Sequence, residues 1–330
     1  MRPFNFIPSA TVADAVSAST ANPEPRYLGG GTNLIDLMKE DVERPDTVIE
    51  VASLDRKEIQ RTPSGGLLLG GMLNNTDTAN HPDVRKDYPL LTMTMLSAAT
   101  EQIRNMATNG GNLLQRTRCP YFYETSMPCN KREPGTGCGA LNGMNALHAI
   151  FGWSEACVAV HPSDMCVALA AIGATVEVAK PDGTSRRIPF TDLHRLPGDE
   201  PQRDTILEPG ELIVGIELDA PKYADHYYYL KIRERSSYAF ALLSVAAGLQ
   251  VENGRIASAG LAMGGVAHKP WKLTAAEDYL RGKAPETGNF EAAAAIAMQD
   301  ARPLAENEYK IEMGQRAIVR ALEQAYARKA

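Results

Sequence analysis

Four of the chain's five cysteines fall in one Pro- and Gly-rich stretch. Cys119, Cys129 and Cys138 lie in TRCPYFYETSMPCNKREPGTGCG, and Cys157 follows in SEAC, giving the spacing C-x9-C-x8-C-x18-C. Structural zinc usually draws cysteines from close pairs that form a knuckle around the ion, and none of these spacings provides one. Disulfides need an oxidising compartment, and the opening MRPFNFIPSATVADAVS lacks the basic-then-apolar order of a secretory signal. Four thiolates gathered by a loop of little regular structure suit an iron–sulfur cluster, whose four-cysteine ligation tolerates varied spacing. Gly135, Gly137 and Gly139 around Cys138 would let backbone amides approach sulfide. Spacing puts a cluster ahead and leaves zinc, disulfides and unlinked thiols open. Cys166, on the buried-looking face of the next helix, is assigned to the core.

Two glycine loops offer a second chemistry. RYLGGGTNL spans Arg26 to Leu34; its three glycines permit positive φ and close approach to a ligand, and Thr32 and Asn33 add a hydroxyl and an amide. Such a loop can hold a pyrophosphate on backbone N–H groups without a cationic side chain. It is not a G-x-G-x-x-G fingerprint, and no strand–loop–helix with an acidic residue about 20 positions on is visible, which disfavours a Rossmann unit. EQIRNMATNGGNL repeats the same polar chemistry at Thr108, Gly110, Gly111 and Asn112. A ligand with two phosphates and a long body would explain both loops. His81, His148 and His161 make no metal spacing; His148 and His161 border the cysteine stretch and could hydrogen-bond near it, which loop polarity explains equally. No Ser/His/Asp or Cys/His set stands out as a nucleophile with its base.

The elements that must carry these residues divide near residue 222. With 330 residues, two domains of ordinary size are expected. Before the boundary, TVADAVSAST reads as an amphipathic helix, TVIEVASL and GGLLLGG as strands, and LLTMTMLSAA as a buried helix. SDMCVALAAIGA opens with a Ser-Asp helix start, and TVEVAKPDGTSRRIPF is a hairpin with Pro-Asp-Gly turn chemistry. After it, HYYYLKIRERSSYAFALLSVAAGLQVENGRIASAGLAMGG alternates like antiparallel strands with a turn at Asn253-Gly254, and the chain is helical beyond Pro270. The balance of 34 basic against 40 acidic residues, net −6, gives no case for nucleic acid or anionic lipid. No apolar run approaches the roughly 20 residues of a membrane span. Without an export signal of its own, the chain is expected in the cytoplasm, or in the periplasm by co-export on a partner's twin-arginine signal.

Taken in order, GGGTNL, QIRNMATNGGNL, HPSDMCVALAAIGA, GELIVGIEL, YYYLKIRERSSYAFALLSVAA and GGVAHKPW resemble the FAD-binding subunit of the xanthine dehydrogenase and aldehyde oxidoreductase family of molybdenum hydroxylases, across essentially the whole chain. The resemblance implies an α+β fold. A two-part FAD-binding domain of PCMH type, not Rossmann, would span 1–221, with the iron–sulfur insertion at about 115–161. An antiparallel sheet plus helices of the CO dehydrogenase flavoprotein type would follow over 222–330. It implies cofactor contacts from Arg26, Tyr27, Leu28, Gly29, Gly30, Gly31, Thr32, Asn33 and Leu34, and from Thr108, Gly110, Gly111 and Asn112. Asp164 would approach the adenosine side of FAD, Ile213 would make an apolar contact, and Lys231 would stand near the flavin ring. Arg118 is a further candidate, at the flavin or beside cluster charge. Bland readings exist for three of these: a helix cap for Asp164, core for Ile213, a solvated strand residue for Lys231.

In most of the family the second loop runs almost directly into the Ser-Asp helix, whereas about fifty residues separate Asn112 from Ser163 in this chain. The sequence is similar above all to the FAD-binding subunits of bacterial periplasmic-type aldehyde oxidoreductases, which carry a [4Fe-4S] cluster in such an insertion. That implies Cys119, Cys129, Cys138 and Cys157 as its ligands. The family's division of labour implies a large molybdenum-cofactor subunit and a small [2Fe-2S] subunit as partners, with electrons leaving FAD for NAD+, dioxygen or a carrier protein. Competing expectations are a stand-alone FAD-dependent oxidoreductase and a metal-stabilised assembly subunit without flavin.

Overall fold

Three sheets form where β-branched and aliphatic residues concentrate. In the computed structural model, which describes residues 1–328, Asn5–Pro8, Thr47–Glu50 and Pro25–Leu28 make a parallel sheet in that spatial order. The helix Val12–Ala21 is started by a reciprocal capping box between Thr11 and Asp14. The expected strand over TVIEVASL ends early, at Glu50, because the Glu50 carboxylate accepts from the Ser53 N–H (2.9 Å) and hydroxyl and turns the chain.

A five-stranded antiparallel sheet follows in the order Ile59–Arg61, Leu67–Gly70, Leu212–Leu218, Ala174–Ala179 and Ser185–Pro189. Its last two strands are the expected hairpin, closed by the Lys180 N–H to Thr184 O bond. The helix Asp164–Ile172 is buried at every residue, as an element apolar all round should be. Ser163 caps it by accepting from the Cys166 N–H, and Gly173 ends it at φ +86°. This helix packs against the C-terminal sheet and the helix Pro89–Ser97, in a core it shares with the five-stranded sheet.

The C-terminal sheet runs Trp271–Lys272, Arg255–Gly264, Leu243–Glu252, His226–Ile232, all antiparallel. Asn253 (φ +51°) and Gly254 (φ +73°) make its tight turn. Helices Thr274–Leu280, Thr287–Met298 and Tyr309–Ala327 cover it. The chain is therefore not purely helical beyond Pro270. Trp271 stacks on Phe151 at 4.9 Å and is held as an edge strand, which Lys272 secures through Glu277 (3.0 Å).

Between Gln115 and His161 the one regular element is the four-residue helix Pro120–Tyr123. Side chains satisfy the backbone there instead. Asn130 Oδ1 accepts from the Gly135 and Gly137 N–H groups, Arg132 donates to the Tyr121 and Phe122 carbonyls, and Asn145 donates to those of Ala140 and Leu141. The segment is bolted to the C-terminal unit. Ile150 and Phe151 donate to Val266 O, and the buried Lys310 ammonium donates to the carbonyls of Leu147, His148 and Gly265 at 3.0, 2.9 and 2.8 Å. No helix of the described residues is long and apolar enough to cross a membrane.

Candidate cofactor site

A cavity of about 1570 Å³ runs between the parallel sheet, the two glycine loops and the C-terminal sheet. The first loop joins the strand Pro25–Leu28 to the helix Leu34–Lys39, so a strand–loop–helix does exist here, contrary to expectation. A four-residue strand that begins on Pro25 leaves little trace in sequence. Only Gly31 uses positive φ (+73°). Gly30 is glycine for a different reason: a Cβ there would fall 1.7 Å from the Met106 carbonyl oxygen, while one on Gly29 would lie 2.6 Å from Thr108 Oγ1. The two loops are thus packed against each other. The amides of Gly30, Gly31, Thr32 and Asn33 donate to no acceptor among the described residues. Asn33 Oδ1 accepts from the Arg116 N–H (2.9 Å), while its Nδ2 is buried without a partner among the described residues. Unpaired donors of this kind on a cavity wall fit an anionic group.

The second loop is more regular than expected. Thr108 caps the short helix Asn109–Leu113 by accepting from Gly111 N–H (3.2 Å), and neither Gly110 nor Gly111 has positive φ. Gly110 lies against Gly71 O and Ile213. The Asn112 amide donates to Asn75 Oδ1 (2.6 Å) and accepts from Ser163 and Gln115, so Asn112 ties the loop to the following helix. Tyr27 donates its hydroxyl to Gly210 O (2.8 Å), and Arg26 pairs with Glu43 (3.2 Å). Of the expected contacts, all but Leu28 line the cavity; the Leu28 carbonyl accepts from Val51 N–H instead. Arg104, passed over in the sequence, also lines it. Its Nη1 donates to Ala98 O, its Nε is buried and unpartnered, and no carboxylate pairs with it among the described residues.

Asp164 and Lys231 were expected at opposite ends of an extended cofactor. The structure places them in contact. Asp164 Oδ2 lies 2.7 Å from Lys231 Nζ, and its Oδ1 accepts from the Tyr229 hydroxyl. Lys231 also donates to Ser97 O. Burial raises the Asp164 pKa above the usual carboxylate value even with Lys231 opposing it, and burial and Asp164 push Tyr229 well above 10. The pair acts at one place on the wall, and Lys231 presents a compensated charge there. Arg118 also lines the cavity, bonded to Asp36 (3.0 Å) and Tyr123, with its guanidinium over the Phe240 ring at 5.1 Å.

All four clustered cysteines surround a second, small cavity lined otherwise by Phe122, Pro128, Gly139, Ala140 and Ala159 among others. All are free thiols. Residues 129 and 138 face each other across an antiparallel bridge closed by Asn130 N–H to Gly137 O (2.7 Å) and Gly139 N–H to Pro128 O (3.0 Å). The glycine amides at 135, 137 and 139 are consequently occupied by Asn130 Oδ1 and Pro128 O, not aimed at sulfur. Other amides take that role: those of Tyr121 and Phe122 at Cys119, of Ala140, Leu141 and Val158 at Cys138, and of Ala159 at Cys157. The hydrogen bond from Cys157 holds the Cys138 thiol down at about 6, while Cys157 is pushed far up; burial raises Cys119 to about 11. Four soft donors, a dry wall and amides directed at sulfur fit a thiolate-bound metal centre.

A further grouping was not legible: His161, Cys166 and His194 bring their ligand atoms within 4.8 Å of one another. His194 Nε2 donates to Leu113 O (2.7 Å), leaving Nδ1 bare, whereas His161 Nδ1 accepts from Ser163 N–H (3.3 Å), so its proton sits on Nε2. The rings meet edge-on at 4.5 Å. His161 Nε2 and His194 Nδ1 are both buried without a hydrogen-bond partner among the described residues, and Cys166 keeps its place in the core.

Residues 2–221 match the family of the FAD binding domain in molybdopterin dehydrogenase, and residues 228–325 that of the CO dehydrogenase flavoprotein C-terminal domain. The chain is 44% identical over 327 residues to the aldehyde oxidoreductase FAD-binding subunit of Escherichia coli K12, covering 99% of each. It is 24% identical to the carbon monoxide dehydrogenase medium chain of Afipia carboxidovorans, over 98% of this chain and 97% of that one. The fold is that of the carbon monoxide dehydrogenase from Hydrogenophaga pseudoflava (TM-score 0.77, 23% identity, 100% of both chains covered).

Proposed function

The chain belongs to the FAD-binding subunits of the xanthine dehydrogenase family of molybdenum hydroxylases, and from that premise we propose that it is the electron-transferring flavoprotein subunit of a heteromeric aldehyde oxidoreductase. In this reading it carries FAD in the large cavity and a [4Fe-4S] cluster on Cys119, Cys129, Cys138 and Cys157. The observation that carries it is the adjacency of the two cavities: Thr117 and Cys119 stand in the walls of both. When bound, FAD supplies two-electron chemistry and the cluster a one-electron centre.

The chain's own residues bind and orient. The free amides of Gly30 to Asn33, Asn33 Nδ2 and Arg104 offer donors for a pyrophosphate. Ile213 supplies apolar surface beside the second loop. The Asp164–Lys231–Tyr229 group fixes a polar contact on the wall opposite. Substrate oxidation is assigned to a large subunit holding the molybdenum cofactor, fed forward by a small [2Fe-2S] subunit, and electrons leave for NAD+, dioxygen or a carrier. No residue here is given a role in oxidising the aldehyde.

The test is the composition of the native complex. One FAD per copy of this chain and four irons beyond those of the small subunit's [2Fe-2S] centres, with two co-purifying subunits, are expected. A yellow monomer without iron would instead make it a stand-alone flavoenzyme, and a flavin-free, metal-containing protein would make it an assembly subunit.

A further inference from the structure

One side chain outside the four cysteines hydrogen-bonds a cysteine sulfur in this group: His148 Nε2 lies 3.2 Å from Cys119 Sγ. His148 is buried, and its Nδ1 has no partner among the described residues, so nothing else there fixes the position of its proton. The ring is held in place through its backbone. His148 N–H donates to Asn145 O (3.1 Å), and its carbonyl accepts from Asn307 Nδ2 (3.1 Å) and Lys310 Nζ (2.9 Å). His148 also lines the large cavity. A thiolate that ligates iron can only accept at sulfur, so the neutral imidazole must present Nε2–H to it and leave Nδ1 bare.

We propose that His148 is a positioning residue that donates its Nε2 proton to Cys119 Sγ and thereby raises the reduction potential of the cluster on the side facing FAD. The inference rests on the reading of the four cysteines as cluster ligands. A donor at a ligand sulfur withdraws electron density from the iron and stabilises the reduced state, so removing it lowers the potential.

The experiment compares the assembled complex with its His148→Phe and His148→Gln variants. Iron, sulfide and FAD are quantified, and the cluster is titrated by electron paramagnetic resonance, where its spectrum is separated from those of partner [2Fe-2S] centres. The Phe variant should keep its iron yet shift the oxidised-to-reduced ratio at a fixed poise by tenfold or more, about 59 mV for a one-electron couple. The Gln variant, which retains an N–H, should restore most of that shift. A structural role alone would change iron retention without separating Phe from Gln in potential. A Phe variant with full iron and an unshifted potential overturns the proposal. Should the Phe variant lose iron, the wild-type complex labelled with 15N-histidine decides: a nitrogen coupling at the reduced cluster is expected, and its absence overturns the assignment. A wild-type complex lacking a four-iron cluster brings down the cluster reading itself, and this inference with it.

Discussion

Replacing Gly30 with alanine should damage the cofactor site more than the same change at Gly31. A Cβ on Gly30 falls 1.7 Å from Met106 O, against the 3.4 Å at which ordinary contact begins. The obstacle is backbone, and neighbouring bonds fix it: Ala107 N–H to Ile103 O at 2.8 Å and Asn75 N–H to Ala107 O at 2.9 Å. No rotamer relieves the overlap, so the two loops must part by about 1.7 Å or remain strained. Overpacking costs typically 1–3 kcal/mol, and an unyielding obstacle puts this case near ~3 kcal/mol. If the loops part, the cost falls on FAD binding, roughly 100-fold at 1.4 kcal/mol per decade. If they hold together, it falls on the stability of the apoprotein. Titration of apoprotein with FAD by fluorescence quenching, with denaturant unfolding of the same sample, measures both. Gly31→Ala is the comparison: its φ of +73° costs ~1–2 kcal/mol, and its Cβ meets only side chains, Ile35 at 3.0 Å and Leu28 at 3.4 Å. The reasoning is refuted by a Gly30→Ala protein that keeps both FAD affinity and stability, or that is milder than Gly31→Ala.

If the proposed cluster is bound by the four cysteines, Cys129→Ser should abolish the iron content of the chain, whereas Cys166→Ala should leave it intact and cost stability alone; iron assay with thermal unfolding separates the two. Arg104→Ala should weaken FAD binding by roughly 10- to 100-fold, the worth of a charged hydrogen bond of about 1.5–3 kcal/mol, with iron unchanged, as read by flavin retention on gel filtration. Acid should unfold the apoprotein early. Burial holds His194 at about 4 and His268 at about 3, against 6.5 when exposed. The unfolded chain therefore binds more protons below pH 6.5, and stability is full above that value and lost as pH falls through about 4 for His194 and about 3 for His268. At 1.36 kcal/mol per unit, the two together remove roughly 4 kcal/mol by pH 5; denaturant midpoints that stay flat between pH 7 and 5 would contradict this.

Period and turn chemistry exposed most of the fold because most elements are locally determined. The helix Asp164–Ile172 announces itself by a Ser cap, an apolar run and a closing Gly173, and the hairpins by Pro-Asp-Gly and Asn-Gly. The two-residue edge strand Trp271–Lys272 was invisible because it is short and leans on Phe151, 120 positions away, as well as on its ladder partner. In the site, residue types were legible and their partners were not. Composition marked Gly29 to Gly31 as one flexible turn, but Gly30 answers to a carbonyl at position 106, a constraint that no local pattern records. Asp164 and Lys231 each carried a signal, yet their 2.7 Å contact depends on how the last sheet docks on the buried helix.

The same distinction bears on the cysteine segment, which reads in sequence as an appendage. Lys131, between Cys129 and Cys138, is buried and places its ammonium 2.5 Å from Asp204. Asp204 accepts in turn from Arg116 (2.8 Å), and Arg116 reaches Glu43 on the wall of the large cavity. Burial alone would raise the Asp204 pKa, but Lys131 and Arg116 outweigh it and hold the carboxyl well below its ordinary range. A half-buried chain of alternating charges therefore runs from the small cavity to the large one. Breaking one partner of such a chain leaves the next charge uncompensated, which costs more than the pair itself contributes. Losing Lys131 would consequently disturb Arg116, whose backbone N–H orients Asn33 in the first glycine loop. Electrostatics and a shared wall at Thr117 and Cys119 thus bind the insertion to the site it interrupts in sequence, and a change made at either cavity should be felt at the other.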